Sequence, residues 1–302
     1  MKRSIILSLA ITLLAAPVSG FKQSDLDMFF LLNNCENCDL TNANFSGADL
    51  SRAKFENTNL QGANFSGANL RAATFWKTDL RNANLANIDS FNARFYYSDL
   101  RKVDLTNADI PNSKFTKSKL TGADLSGANF YKAFFDETNL SGVTARNTKL
   151  SDAWLEDVDF SGSDLSGAYL TDANLKGVKF KNTNLARVIA VDVHFYDHDL
   201  SNLDFSGSNF SEVHFGSANL SGSNFSNAKL HDAEFGDTNV TGTNFSDADL
   251  TGANFSRFTG VNILKDTNLT GVDLKKLSFS LSPKQFCRTK TSIGIMRPDC
   301  RD

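Results

Sequence analysis

From Leu40 to Phe255 every fifth residue is large and apolar, beginning Leu40, Phe45, Leu50, Phe55, Leu60 and ending Phe245, Leu250, Phe255. Of these 44 positions only Ser90, Ala145 and Ala190 are not Leu, Phe, Ile or Val. Two residues ahead of each, the chain is usually small or β-branched, as at Ala43, Ala48, Ala53, Thr58, Ala63 and Ala68. Between the two sits Asn or Asp more often than anything else. An α-helix repeats its buried face every 3.6 residues and a flat strand every 2, so a period of five fits neither. It demands a repeat architecture, and the repeat dictates the fold before any other signal is read.

The spacing assigns the side chains. The large residue and the small one before it point inward, where together they fill a narrow core without voids. The other three positions point out. The pairs Ser-Gly, Ser-Asn and Thr-Gly serve corners, where small or φ-positive residues cost least.

The runs ADLSGANF (Ala123 to Phe130) and ANFSGANL (Ala63 to Leu70) follow the pattern A-(D/N)-L-x-x. In these the chain resembles the pentapeptide-repeat family over roughly three-quarters of its length. The resemblance implies a right-handed, four-sided parallel β-helix, an all-β solenoid with four pentapeptides per coil. Forty-four repeats then make eleven coils. Stacked at one ladder spacing of about 4.8 Å, they form a rod roughly 50 Å long, whose ends expose unpaired backbone and need caps.

Four segments follow. Residues 1–20 read as an export signal: Lys2 and Arg3, an apolar stretch from Ile5 to Ala16, then Pro17-Val18-Ser19-Gly20. The apolar part is short for a membrane span, and no other segment is a candidate, so stable membrane insertion is not expected. Residues 21–39 read as an N-terminal cap. Its short helix over 24–34 has Ser24 and Asp25 to cap the start, and Leu26, Phe29, Phe30 and Leu32 to lie over the first coil. Residues 40–275 are the rod, with the phase slipping after Phe255 and resuming weakly at Leu264, Leu269 and Leu274. Residues 276–302 lose the pattern and form a C-terminal cap.

All four cysteines, Cys35, Cys38, Cys287 and Cys300, lie in the caps. An even count in an exported chain points to disulfides. A rod between the ends favours the local pairs Cys35–Cys38 and Cys287–Cys300. The runs Phe286-Cys287-Arg288-Thr289 and Pro298-Asp299-Cys300 are also similar to the C-terminal cap of exported cyanobacterial members of the family, and Leu31 to Leu40 to their N-terminal cap. For Cys35 and Cys38 two other readings stand: a thioredoxin-type CxxC, which lacks its βαβ context, and a simple buried thiol at Cys38.

No phosphate loop, Ser-His-Asp arrangement or zinc signature appears, so no catalytic residue and no cofactor is assigned. The net charge of −3, or −5 without Lys2 and Arg3, offers no basic footprint for nucleic acid. With a coil of 20 residues, positions 20 apart stack on one side. The side through Phe45, Phe65, Leu85 and Leu105 is bland, with Asn44, Asn64, Asn84, Asp104 and Asp124 outward. The side through Phe55, Phe75, Phe95 and Phe115 carries Trp76, Tyr96, Tyr97, Phe134, Trp154 and Tyr196 outward, and its neighbour adds Phe91, Tyr131 and Tyr169. Charge is graded along it, from Lys54, Lys77, Arg94, Lys114 and Lys117 to Asp136, Glu137, Glu156 and Asp157. Exposed aromatics flanked by charge suit a protein partner; the bland reading is that they only strengthen the ladder.

His194, His214 and Glu234 are 20 apart and should stack, a weak candidate metal column. His198 falls on a small inward position and is expected to be pushed outward by a bulge near Val188 to Val193. Three function classes result. The first is a non-enzymatic structural or interaction rod of the periplasm or thylakoid lumen. The second is a DNA mimic acting on type II topoisomerases, as some family members are. The third is a surface enzyme, for which a regular rod lacks a groove of converging carboxylates.

Overall fold

The computed structural model describes residues 20–255 and, beyond them, three two-residue strands. Apart from Gly20, the export segment 1–20 falls outside the described residues, as do Cys287 and Cys300. Helix α1 spans Gln23–Leu32. Strands β1 (Asn34–Glu36), β2 (Lys54–Glu56), β3 (Thr74–Trp76), β4 (Arg94–Tyr96) and β5 (Lys114–Thr116) form one parallel sheet in chain order, each offset from the last by 20 residues. Strands β6 (Asn268–Leu269), β7 (Lys290–Thr291) and β8 (Gly294–Ile295) make a second sheet, with β6 and β7 parallel and β7 and β8 antiparallel.

The other three sides are columns of single parallel bridges in the same register, such as Asn44↔Asn64, Asp49↔Asn69 and Asn59↔Asp79. A period of five explains why they are so short. Two of every five residues form a turn, which leaves three for the strand, and the central one is buried. The second turn residue takes φ > 0 in coil after coil, as at Asn42 (58°), Gly62 (68°) and Asn82 (57°). The left-handed conformation favours Gly and Asn, which explains the Ser-Gly and Ser-Asn corners. The outward Asn or Asp closes the turn from the other side: Asn44 Oδ1 accepts the Ser46 amide at 3.1 Å, and Asn64 Oδ1 the Ser66 amide at 3.0 Å. The repeat's Asn/Asp is therefore turn chemistry and needs no ligand to account for it.

The core is a continuous stack of the central residues and the small residues between them, buried from Leu40 to Phe255 except for the partly buried Ala48. On the β2–β5 side the rings lie almost parallel at the ladder spacing, Phe75 on Phe95 at 4.7 Å and Phe95 on Phe115 at 4.8 Å. The three breaks in the central pattern are offset locally. Ser90 sits beside Ile88, Ala145 beside Val143 and Thr148, and Ala190 beside Val188 and Val193, all at 0–1% exposure. Volume removed from the central position returns at the small one, so packing density is held.

Helix α1 covers the first coil. Phe29 is buried, stacking on Phe55 at 4.8 Å and meeting Phe45 edge-on at 5.6 Å. Leu26 and Phe30 pack partly beside it. Two expectations fail here. Leu32 is 57% exposed and does not lie on the coil. Lys22 is the N-cap residue, with no side-chain capping bond. Asp25 instead reaches across to the rod, its Oδ2 accepting the Asp39 amide at 2.9 Å. The ladder also starts ahead of Leu40, since β1 already pairs with β2. Cys35 and Cys38 are joined by a disulfide within this first coil.

Candidate functional site

Most rings of the two aromatic sides face outward as the spacing expects, but Tyr96 and Phe91 are half-buried, Phe91 lying under the Arg71 guanidinium at 4.9 Å. Trp76, Tyr97, Tyr131, Phe134 and Trp154 are 37–47% exposed, and Tyr169 and Tyr196 join them at 39% and 52%. Tyr96 is only half-buried, packed against Trp76 at 5.6 Å between ring centroids. Trp76 also meets Tyr97 at 5.2 Å, and Phe134 stacks on Trp154 at 5.9 Å and 12°. Cations lie over these faces: Lys114 at 5.7 Å from the Phe134 centroid and Lys117 at 5.9 Å from that of Tyr97. Lys117 also pairs with Glu137 at 3.2 Å, where the basic coils give way to the acidic ones. Tyr97 is the sole aromatic among the φ-positive residues described, at 56°. A bulky residue there carries on the order of 1–2 kcal/mol of conformational cost that Gly or Asn would avoid.

His198 corrects the outward-bulge expectation. It stays on its inward position and is 8% exposed. In earlier coils this slot holds Ser or Thr, whose hydroxyl donates to the carbonyl 23 residues back: Thr58 to Cys35, Thr78 to Phe55, Ser98 to Phe75 and Ser118 to Phe95. His198 addresses the same pair of carbonyls, with Nε2 2.9 Å from Leu175 O and Nδ1 2.9 Å from Tyr196 O. A neutral ring carries one N–H and donates to one of them. The imidazole reaches further from the backbone than a hydroxyl, so touching the same carbonyl holds the two coils apart.

The ladder shows the consequence. The amides of Leu175, Gly177, Phe180 and Asn182 make no backbone bond to the next coil, although their counterparts 100 residues earlier, Phe75 apart, are matched by bonds such as Lys77 to Tyr96, Leu80 to Asp99 and Asn82 to Arg101. Among the described residues the bridges Asn174↔His194 and Lys179↔Asp199 are missing too. A cleft of about 730 Å³ opens there, lined by Lys176, Gly177, Phe180, Asn182, Tyr196 and His198 among others. The signal was present in the sequence as two oversized residues, His198 and Leu203, on consecutive small positions.

The histidine column forms as the spacing requires, with His194 bridged to His214 and His214 to Glu234. The third residue that joins the two imidazoles is Asp192, not Glu234. Ligand atoms of Asp192, His194 and His214 lie within 4.8 Å of one another. Glu234 turns on to the next rung, where its Oε2 accepts from Asn254 Nδ2 at 3.0 Å. Asp192 occupies a corner two residues ahead of His194, a position the side-by-side reading of central columns passes over.

Charged pairs elsewhere brace the surface. Arg81 clasps Asp79 through contacts of 2.6–3.1 Å, and Arg101 clasps Asp99 in the same way one coil on. The hydrogen bond from Arg81 holds the Asp79 carboxyl below the usual carboxylate range, against the opposing effect of partial burial. No helix among the described residues is long and apolar enough to cross a membrane.

Two family models match the chain. One, a pentapeptide repeat region, covers 113–189 and 188–279; the other, pentapeptide repeats in eight copies, covers 34–57, 48–87 and 91–127. No curated protein sequence matches. Among solved structures, the chain is similar to QnrB1, a plasmid-mediated fluoroquinolone resistance protein, at 19% identity and a TM-score of 0.42, over 69% of this chain and 91% of that one. It is similar to HetL, involved in heterocyst differentiation regulation in the cyanobacterium Nostoc, at 24% identity and a TM-score of 0.29, over 85% and 93%. It also matches a pentapeptide repeat protein of the Arabidopsis thaliana thylakoid lumen at 28% identity and a TM-score of 0.20, over 48% and 70%.

Proposed function

The chain belongs to the pentapeptide-repeat family, and on that premise we propose that it is a non-enzymatic interaction rod of an exported compartment, periplasm or thylakoid lumen. Its protein partner docks on the two aromatic sides. The observation that carries this reading is the row of exposed rings at Trp76, Tyr97, Tyr131, Phe134 and Trp154 on adjoining faces of one rigid ladder. Rings set on a stiff scaffold lose little entropy on contact, and aromatic anchors dominate many interfaces. The strained corner at Tyr97 supports it as well, since the ladder alone would be better served by Asn or Gly there. The opposite side is mostly turn-forming Asn, Asp, Ser and Gly, with Arg146 and Arg187 among them and no aromatic ring projecting from it. Export is supported by the charged and apolar run at 2–16 and by the Cys35–Cys38 disulfide, a bond suited to an oxidising compartment.

The test compares two triple variants in the native host. Trp76, Tyr97 and Trp154 changed to Ser leave the core filled and should lose a partner captured by cross-linking to the wild-type chain. Asn64, Asn84 and Asp124 changed to Ser should keep it. Equal retention by both would leave the aromatics with a ladder role only. N-terminal sequencing of the host protein should give a start near Phe21, and an intact Met1 on cytoplasmic protein would remove the exported compartment.

A further inference from the structure

Of the surface features that a docking role leaves unused, the histidine column goes furthest. We propose that Asp192, His194 and His214 form a binding site for a divalent transition-metal ion of the zinc, nickel or copper class. The site clamps the coil that borders the open ladder to the coil that follows.

Three observations converge on it. First, one ligand atom from each of the three residues lies within 4.8 Å of the others. A bound ion draws such atoms in to about 2.0–2.2 Å from itself, and the exposed Asp192 side chain can swing in by that much. Second, the backbones are already placed. His194 and His214 are paired on adjacent rungs, with ring centroids 4.6 Å apart. The Asp192 amide donates to Ser211 O at 3.1 Å, which ties its corner to the coil that carries His214. His194 also stacks on Tyr196 at 5.3 Å and 12°, which restrains its ring. Only rotamer freedom remains to be lost on binding.

Third, the place has a use for the clamp. His194 lies on the coil above the cleft, and its bridge to Asn174 in the coil below is missing. The backbone ladder therefore holds this stretch of chain from one side only, with the His198 side chain reaching the coil below. An ion shared by His194 and His214 adds a link on that remaining side, and binding to the folded state raises its stability.

The donor set gives the class. Two imidazoles and a carboxylate suit zinc, nickel and copper, whereas calcium and magnesium want oxygens. Three protein donors leave coordination positions for water. The other surface histidine described, His231, pairs with Asp249 at 3.1 Å, far along the rod from this group in sequence, and serves as an internal control.

The experiment uses the full chain without a polyhistidine tag, stripped with chelator, and titrates zinc chloride and then nickel chloride by calorimetry, with thermal melts alongside. One ion per chain and a raised melting temperature are expected. His214→Gln should weaken binding at least about tenfold, and Asp192→Asn by a similar factor, as even outer-shell losses cost that much. Glu234→Gln and His231→Gln should stay within about twofold, well under the tenfold step that 1.4 kcal/mol represents. All four positions are on the surface, and far-ultraviolet circular dichroism confirms each fold. Absence of binding up to millimolar metal overturns the proposal. So does affinity unchanged in His214→Gln, or a loss in Glu234→Gln that matches Asp192→Asn.

Discussion

The coils around Phe75 and Phe95 and the coils around Leu175 and Phe195 share one pattern and one register, yet the first pair is closed and the second stands open. In the closed pair the inward small positions hold Ala73, Thr78, Ala93 and Ser98, and the rings stack at 4.7 Å. In the open pair they hold Ala173, Val178, Val193 and His198, and the amides of Leu175, Gly177, Phe180 and Asn182 lack their partners in the next coil. The large central position tolerates wide variation, down to Ser90 and Ala190, because the neighbouring small slots can take up the volume. The slot that bonds a carbonyl of the coil below is less forgiving. Its side chain spans the gap between coils, so its length sets their separation.

The largest effect expected is from a charge in the closed stack. Phe135 is buried between Phe115 at 5.1 Å and Phe130 at 5.3 Å. Phe135→Asp should cost several kcal/mol, the penalty of an unpaired buried charge, and should make the surrounding coils sensitive to protease. Phe180→Asp borders the cleft, where water can reach the carboxylate, so its cost should be clearly smaller. Equal losses in urea denaturation would break the comparison.

An intermediate effect is expected from exchanging the jack itself. His198→Thr should let the coils close and restore several ladder bonds. Each is worth about 0.5–1.5 kcal/mol, offset in part by the contacts the imidazole makes now, so a net gain of about 1–2 kcal/mol is expected. Amide exchange should slow at Leu175, Gly177, Phe180 and Asn182. The reciprocal Thr78→His should open the regular stack and speed exchange at Phe55, Asn57, Leu60 and Gly62. Exchange rates in His198→Thr that match the wild type would remove the reach argument.

The smallest effect concerns acid. The Asp79 carboxyl titrates below its unfolded value because of Arg81. Its contribution is complete above the unfolded carboxylate range and is lost as pH falls through the lower folded value. The pair is well exposed, so the contribution is small. Asp79→Asn should therefore leave a shallower loss of melting temperature as pH falls below the ordinary carboxylate range, with little change at pH 7. A steeper acid loss in the variant would reverse the sign.

Much of the site was legible for the same reason as the fold. Trp76, Tyr97 and Trp154 follow from register alone, because outward positions on a rod stay outward. Tyr96 did not, because its exposure depends on where the Trp76 ring falls. The histidine column was legible as a spacing of 20, but Asp192 was not, since a corner residue meets the column only through the turn's shape. His198 was noticed as irregular and misplaced, because the size of a side chain says that it will strain its slot without saying which part gives way. Here the backbone ladder yielded, and the ring kept two carbonyl contacts.

The sequence by itself determined the period, the inward and outward sets, the 20-residue register and the family. These follow from burying one large and one small side chain every five residues, a requirement that neither an α-helix nor a flat strand meets. The tertiary structure alone decided where the rod opens, which aromatics remain bare and which side chains converge on one point. Those outcomes depend on side-chain reach and rotamer between coils, distances of a few ångströms that a period does not encode.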